Sequence, residues 1–555
     1  MSTEGARLER FKLWLARHGA RYLKIVWPSV DTIGGCRGAQ ASDDIQSGEH
    51  MLEIPAKLMM SPPLAYQGAL LSRPFPSGHR RLLFMVLRLL THQLHSIYIS
   101  PDPVIGPILR KNETLLRGDL LLTLYIMYEL SKGEESFYFP YLSILPEPGS
   151  VSQWTDEQLR GLQNDALFLK AKNRLTMLRK TFNNTILKIC QEYPEVMPLE
   201  LFSYENFLFA WYSVQARAFG KRLPWTAMVP FADCLNHSNL QTKYDYDVGN
   251  NGLFRLYPSG SNHYPRGSEV FNSYGRRHNE NLLMDYGFAM LDNQWDVVDV
   301  TLSLERDEEN YTTKRGLLFS LLGLHQYSVL SLQRGAFPLE ALAFMRIVHA
   351  TATEVEELEA FGSPIPKPGQ WRQETSFLKI ARNVGGEEEA EAVAQGHEHD
   401  TSRRAVFSAA HVLSLRNELR ATRALLDLLI ALTEEWQTTV AEDEAKLVQL
   451  SEEAAMAKAE GGLYEDGSTS DANWRNVCAV TYRLTRKRIV NATIDKLRVV
   501  ILQLSLVERD GLAALSPSPG AAESLIDRIV ATAPHQFDVK NYKATLVYVE
   551  NLCAL

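Results

Sequence analysis

The chain has 555 residues, 45% of them hydrophobic and 22% charged. This exceeds one ordinary core and matches the composition of soluble globular proteins, so two or three domains are expected. A formal net charge of −8 leaves no global basic field to draw the chain to nucleic acid or an anionic membrane.

The five cysteines, Cys36, Cys190, Cys234, Cys478 and Cys553, are scattered without CxxC spacing. Neither a disulfide framework nor a metal site is indicated, and a reducing compartment fits best. The opening stretch from Phe11 to Ala20 reads as an amphipathic helix closed by Gly19, too charged for a secretory leader. The stretch is basic and helical like an organelle transit peptide, while the family resemblance given below implies instead a helix packed on its own domain, without a targeting signal. From Tyr22 to Met60 short apolar pieces broken by Gly34, Gly35, Gly38 and Gly48 predict strands and turns.

Between Ser61 and about Glu205 the period turns helical. The runs Arg81 to Leu90 and Leu120 to Leu130 are apolar nearly all round, as in helices packed on both sides. The run from Leu120 to Tyr128 is about half the ~20 residues a membrane span requires. An aromatic block from Phe137 to Pro146 reads as packing. Two more strands are predicted at Gly252 to Tyr257 and Val270 to Ser273. Strands mixed with helices in this way argue for an α+β fold. The absence of a GxGxxG after a strand disfavours a Rossmann-type cofactor domain.

Beyond about Asp299 the pattern is helical, with Leu317 to Leu324, the stripe Leu425, Leu428, Leu429 and Leu432, and Ile494 to Leu506. Glycine-rich interruptions at 385–391 and 461–470 read as loops, and a Ser-Pro-Ser-Pro-Gly joint at Ser516 to Gly520 precedes the last segment. No internal repeat is present.

Two stretches carry the functional reading. Pro230-Phe231-Ala232-Asp233-Cys234-Leu235-Asn236-His237-Ser238 ends in three polar groups without metal-ligand spacing. About 35 residues on, Glu269-Val270-Phe271-Asn272-Ser273-Tyr274-Gly275 runs on into Asn279-Glu280-Asn281-Leu282-Leu283-Met284-Asp285-Tyr286-Gly287-Phe288. An isolated Asn-His-Ser is more often a turn with a capped helix; the second stretch reverses those odds. The pair resembles the signature of SET-domain methyltransferases, in the branch typified by the Rubisco large-subunit lysine methyltransferase.

That resemblance implies a SET-domain β-fold over 1–297, threaded as a pseudoknot, with a helical insertion at about 62–205. An all-α substrate-binding-like domain follows over 298–510, where Ser414-Leu415-Arg416-Asn417-Glu418 is similar to a recurring element of the family. Residues 511–555 match nothing in it. It implies S-adenosylmethionine as cofactor, with Gly35, Arg37, Arg217, Asn236, His237 and Tyr274 around it. Cys36 stands where the family commonly has glycine and Arg37 where it has an apolar residue. Tyr274 and Tyr286 take the catalytic positions, and Phe219, Asp233 and Tyr286 a substrate channel. Arg217 either pairs with the methionyl carboxylate or fixes the loop. Asp233 offers its carbonyl at the channel mouth or acts as a structural cap.

An attacking lysine must first lose its proton, against a reference pKa of ~10.4. A narrow aromatic channel beside a sulfonium lowers that value by desolvation and like-charge repulsion. A related branch methylates histidine in actin; there the position of Phe219 is asparagine and that of Tyr286 is small, so the residues here favour lysine. The implied partner is a non-histone protein docked on the C-terminal helical domain, with no direct nucleic acid, no membrane and a monomeric state. The expected location is cytoplasmic or nuclear. The alternatives are a protein-histidine methyltransferase and a catalytically inactive SET-fold interaction protein.

Overall fold

The computed structural model describes residues 3–29, 37–61, 102–220, 223, 225–247, 252–361, 413–459 and 472–510. Gly35, the apolar run Arg81 to Leu90, the two glycine-rich interruptions and the segment beyond 510 lie outside them. The chain divides into two compact units, one of residues 1–293 with 446–482, the other of 294–445 with 483–555.

The first unit opens with α1 (Thr3–Arg17), which buries Phe11, Trp14 and Leu15 on one stripe. Just past its end Gly19 takes φ +85°, a left-handed conformation that glycine adopts without steric cost. Strands β1 (Ile25–Ser29), β2 (Gly38–Ala41) and β3 (Leu52–Pro55) follow. Helix α2 (Leu120–Ser131) buries every residue from Leu121 to Glu129, as an all-round apolar pattern requires. No helix among the described residues is long and apolar enough to cross a membrane. Helix α3 (Asp165–Thr181) starts on Asn164, whose side chain accepts from the Leu167 amide. Helix α4 (Tyr204–Arg217) is capped in the same way by Ser203.

Strands β4 (Thr242–Asp247), β5 (Leu253–Pro258) and β6 (Glu269–Val270) then return to the early strands. The antiparallel orders are β1-β2-β6 and β3-β5-β4, so each sheet joins chain from before and after the helical region. In β5 the buried residues alternate, Phe254, Leu256 and Pro258 facing inward, the period of a half-buried strand. The short β6 pairs Val270 with Ala39 and Glu269 with Gln40. It is followed by α5 (Asn279–Asp285).

The second unit contains β7 (Val297–Ser303), α6 (Tyr311–Leu322), β8 (Tyr327–Gln333) and α7 (Leu339–Val348). After the 361–412 stretch comes α8 (Leu415–Glu434). Two further helices, α9 (Val440–Ala459) and α10 (Ala472–Asp510), are shared between the residue sets of the two units. In α8 Leu425 and Leu429 are buried and Leu428 and Leu432 pack beside them, the expected stripe. Ser414 caps α8 by accepting from the Asn417 amide.

The helical reading of this half needs one addition. Strands β7 and β8 pair antiparallel from Val297↔Gln333 to Ser303↔Tyr327. Tyr-Ser-Val-Leu-Ser-Leu-Gln alternates exposed and buried positions without exception. That period of two is a strand signal, lying directly behind a leucine-rich helix.

Candidate active site

The site forms where the two motif segments cross. Phe231 enters the crossing at φ +74°, costly for a bulky residue. It is held there by full burial, by stacking on Tyr22 at 4.2 Å, and by an edge contact with Trp27 at 5.8 Å. The chain then runs through Asp233 to Ser238 and meets the stretch after β6. The Asn272 amide donates to the Asn236 carbonyl at 2.8 Å, and His237 and Asn272 form a parallel bridge. Thr242 locks the junction, since its hydroxyl contacts Asn272 Oδ1 and accepts from the Ser273 amide.

Three rings stack at this crossing. His237 lies over Tyr274 with centroids 4.9 Å apart, and Tyr274 over Tyr286 at 4.7 Å. The Tyr274 hydroxyl donates to the Leu235 carbonyl at 2.9 Å, and its amide donates to His237 Nδ1 at 3.1 Å. An amide can only donate, so the shorter contact makes Nδ1 an acceptor in preference to a donor to the Asn272 carbonyl at 3.4 Å, which puts the neutral ring's proton on Nε2. Burial pushes the His237 pKa down to about 4, so the ring is neutral at physiological pH. Burial likewise raises Tyr274 and Tyr286 above the ordinary phenol range. Both remain protonated.

A cavity of about 450 Å³ opens on this stack. Arg37, Arg217, Asp233, Asn236, His237, Tyr274 and Tyr286 all border it. Arg217 donates to the Asp233 carbonyl at 2.8 Å and lies 3.7 Å from its carboxylate, so it fixes the loop. That carbonyl is therefore engaged by Arg217. The Asp233 side chain is fully buried and accepts from the Tyr141 hydroxyl, and burial raises its pKa against the attraction of Arg217. Arg37 donates to the Ile144 carbonyl at 2.9 Å and pairs with Glu4 at 3.4 Å. Asn236 Nδ2 donates to Glu269 at 2.8 Å. Cys234 also borders the cavity, but burial pushes its thiol up to about 12, which rules out a thiolate nucleophile at neutral pH.

Phe219 is placed differently from its expected role. It does not border the cavity; its ring packs edge-on against Tyr244 at 5.4 Å and Phe254 at 5.2 Å. Its bridge to Ala227 holds it in that layer, because both backbone hydrogen bonds of the pair are made. Gly35 lies outside the described residues.

Four further residues shape the site, of which Asn279 and Gly287 lie in the second motif stretch while Tyr141 and Trp474 carry no motif signal. Tyr141, from the aromatic block read as packing, is the partner of Asp233. Asn279, fully buried, clamps the wall after Tyr286 by bonding both the amide and the carbonyl of Met290 at 2.9 Å. Gly287 takes φ +80°, and a Cβ there would lie 2.3 Å from the Gly149 carbonyl oxygen, so only glycine admits this approach. Trp474, from the start of α10, completes the wall.

Three ring nitrogens of wall residues, Trp27 Nε1, His237 Nε2 and Trp474 Nε1, are buried with no hydrogen-bond partner among the described residues. Each such donor costs about 1–3 kcal/mol unless a ligand or water satisfies it. Acceptors on a heterocycle, together with a zwitterion near Arg37, Arg217 and Asp233, match this wall. No cluster of metal-binding side chains occurs among the described residues.

Residues 305–490 match the Rubisco LSMT substrate-binding family. Over 337 residues the chain is 26% identical to the actin-histidine N-methyltransferase of Mus musculus, covering 58% of this chain and 49% of that protein. The Homo sapiens protein of the same name is 24% identical over 338 residues, covering 58% and 49%. The chain thus spans about half the length of the curated relatives it matches. Among solved structures, the SET domain of LSMT bound to lysine and AdoHcy superposes with a TM-score of 0.55 at 18% identity, covering 94% of this chain and 99% of that one. Rubisco LSMT bound to AdoMet gives 0.52 at 19% identity, with the same coverage. The chain therefore has the α+β fold of the LSMT SET-domain structures, and its residues 305–490 match the Rubisco LSMT substrate-binding family model.

Proposed function

We propose that this chain is an S-adenosylmethionine-dependent protein N-methyltransferase whose acceptor is a lysine side chain of a non-histone protein. The observation that carries the reading is the His237–Tyr274–Tyr286 stack, with the Tyr274 hydroxyl anchored on the Leu235 carbonyl beside the cavity. S-adenosylmethionine, when bound, supplies an electrophilic methyl group on a sulfonium. The residues present fit it: Asn236, His237 and Trp27 around the cavity, and Arg37 and Arg217 with the charge to hold its amino-acid end.

The work of the protein is positional. Because Tyr274 spends its proton on Leu235, its oxygen presents lone pairs to whatever lies beyond it. A neutral phenol there orients a cation without competing as a base. Tyr286, stacked at 4.7 Å, extends the aromatic surface along which an amine would approach. Desolvation against that surface favours the neutral amine that can attack.

A histidine acceptor is the second reading, favoured by the actin-histidine methyltransferases among the relatives. Tyr286 supports lysine, because a bulky phenol stands where the histidine branch has a small residue. Phe219 does not bear on the choice, since its ring packs against Tyr244 and Phe254 outside the cavity. The protein substrate is assigned to the region of 305–490. Transfer of labelled methyl from S-adenosylmethionine to methyl-depleted lysate proteins, followed by acid hydrolysis, tests the proposal. Label in methyl-lysine is expected. Label in methyl-histidine overturns the acceptor, and no label in a folded preparation overturns the activity.

A further inference from the structure

Strand β6 is short, but its two residues serve different faces. Val270 is fully buried in the core, and the pairing with Ala39 and Gln40 of β2 fixes the register. Side chains alternate along a strand, so Glu269 points to the face opposite Val270. It is half-buried there and meets Asn236, whose Nδ2 donates to its Oε1 at 2.8 Å. Asn236 borders the cavity, whereas Glu269 stands behind it.

This bond decides which way the Asn236 amide is turned. A side-chain amide has a donor end and an acceptor end, and an ionised carboxylate can only accept. A flipped amide would set oxygen against oxygen. The backbone carbonyl of Asn236 is engaged as well, accepting from the Asn272 amide at 2.8 Å. With Nδ2 on Glu269 and the carbonyl on Asn272, Oδ1 is the oxygen of this residue suited to a ligand donor. Arg37 and Arg217, which also border the cavity, match the carboxylate of a zwitterion. Its ammonium needs an acceptor, and an amide oxygen supplies one. We propose that Glu269 is a positioning residue for this cavity, holding the Asn236 amide so that Oδ1 accepts from the ammonium of the ligand's amino-acid end. The inference rests on the cofactor reading above and deepens it. Glu269 acts only through Asn236.

The test uses the full chain with two probes, S-adenosylhomocysteine and its analogue lacking the α-amino group. Calorimetry on the wild type comes first, and absence of S-adenosylhomocysteine binding there defeats the cofactor reading itself. Given binding, Glu269→Met keeps the length of the side chain and removes the acceptor, while Glu269→Gln keeps an acceptor oxygen. Glu269→Met should bind S-adenosylhomocysteine about 3–10-fold more weakly, the worth of one hydrogen bond. It should bind the analogue as the wild type does, read by displacement of S-adenosylhomocysteine. Glu269→Gln should recover most of the lost affinity. Unaltered S-adenosylhomocysteine affinity in Glu269→Met, equal losses for both probes, or no recovery in Glu269→Gln overturns the proposal.

A second readout does not depend on how a Glu269 variant folds. In the wild-type chain carrying isotope-labelled asparagine, the side-chain amide signal of Asn236, assigned by its loss in Asn236→Ser, reports this group directly. It should shift more with S-adenosylhomocysteine than with the analogue. Equal shifts, or no shift under proven binding, overturn the assignment.

Discussion

Two buried arginine–carboxylate pairs, one in each unit, show how differently the same chemistry is used. In the second unit Arg346 and Glu418 are 1% and 0% exposed and meet through two parallel bonds, at 2.6 and 3.0 Å. Asn417 adds a bond to the Arg346 carbonyl at 3.0 Å. Beside the cavity, Arg217 is 20% exposed and lies 3.7 Å from the fully buried Asp233 carboxylate. Its short bond goes to a backbone carbonyl instead, and the carboxylate is shared with Tyr141. In the first pair the guanidinium spends two bonds on the carboxylate. The second leaves the guanidinium directed at a loop and bordering a cavity, the arrangement expected where charge is kept for a ligand.

Breaking the Arg346–Glu418 pair should have the largest effect. Glu418→Ala removes both carboxylate bonds from the buried Arg346, and should cost about 3–5 kcal/mol in urea unfolding. Replacing both residues with apolar ones of similar volume should recover most of that loss.

Next is the pH response of the site. The His237 pKa is lowered to about 4, against ~6.5 in the unfolded chain. Its contribution to stability is thus complete above ~6.5 and is lost as pH falls through about 4, on the order of 3 kcal/mol in all. Wild type should lose stability across that window by more than His237→Gln does. Equal losses would remove His237 as the cause.

Gly287→Ala should destabilise by about 2 kcal/mol through its left-handed backbone, and by more through the clash with Gly149. Methyl transfer should fall further than stability does, because Tyr286 and Phe288 flank the position. The smallest effect is expected from Tyr141→Phe, about 1 kcal/mol for one buried hydrogen bond. If Arg217 and Asp233 hold the loop for a ligand, that variant should weaken S-adenosylhomocysteine binding. A closed structural pair would leave binding untouched.

Much of this arrangement was legible because it is written in continuous segments. Asn236, His237, Tyr274 and Tyr286 fall in two runs, and the backbone bond from the Asn272 amide to the Asn236 carbonyl joins those runs. The buried character of α2 and the stripe of α8 follow from side-chain period alone. Tyr141, which bonds Asp233 from 92 residues before it, and Trp474, which borders the cavity from beyond the helical region in sequence, were not legible. Nothing in Tyr-Leu-Ser-Ile or Asn-Trp-Arg distinguishes them from packing. Phe219 shows the reverse: its sequence position matches a channel residue, while its ring settles against Tyr244 and Phe254. The domain boundary expected at 297/298 differs from the division at 293/294, with residues 446–482 counted in the first unit. A reading of contiguous segments has no means to assign a stretch so distant in sequence to the first unit.

The most direct test of the central claim is the paired behaviour of Tyr274→Phe. The substitution removes one hydroxyl, with its bond to Leu235, and keeps the ring between His237 and Tyr286. S-adenosylhomocysteine affinity and labelled methyl transfer would be measured on the same preparation as the wild type. Affinity retained with turnover reduced about a hundredfold or more, the scale for losing one transition-state contact, is the predicted result. Full turnover in a variant that binds normally would contradict the assignment of Tyr274 to the chemistry.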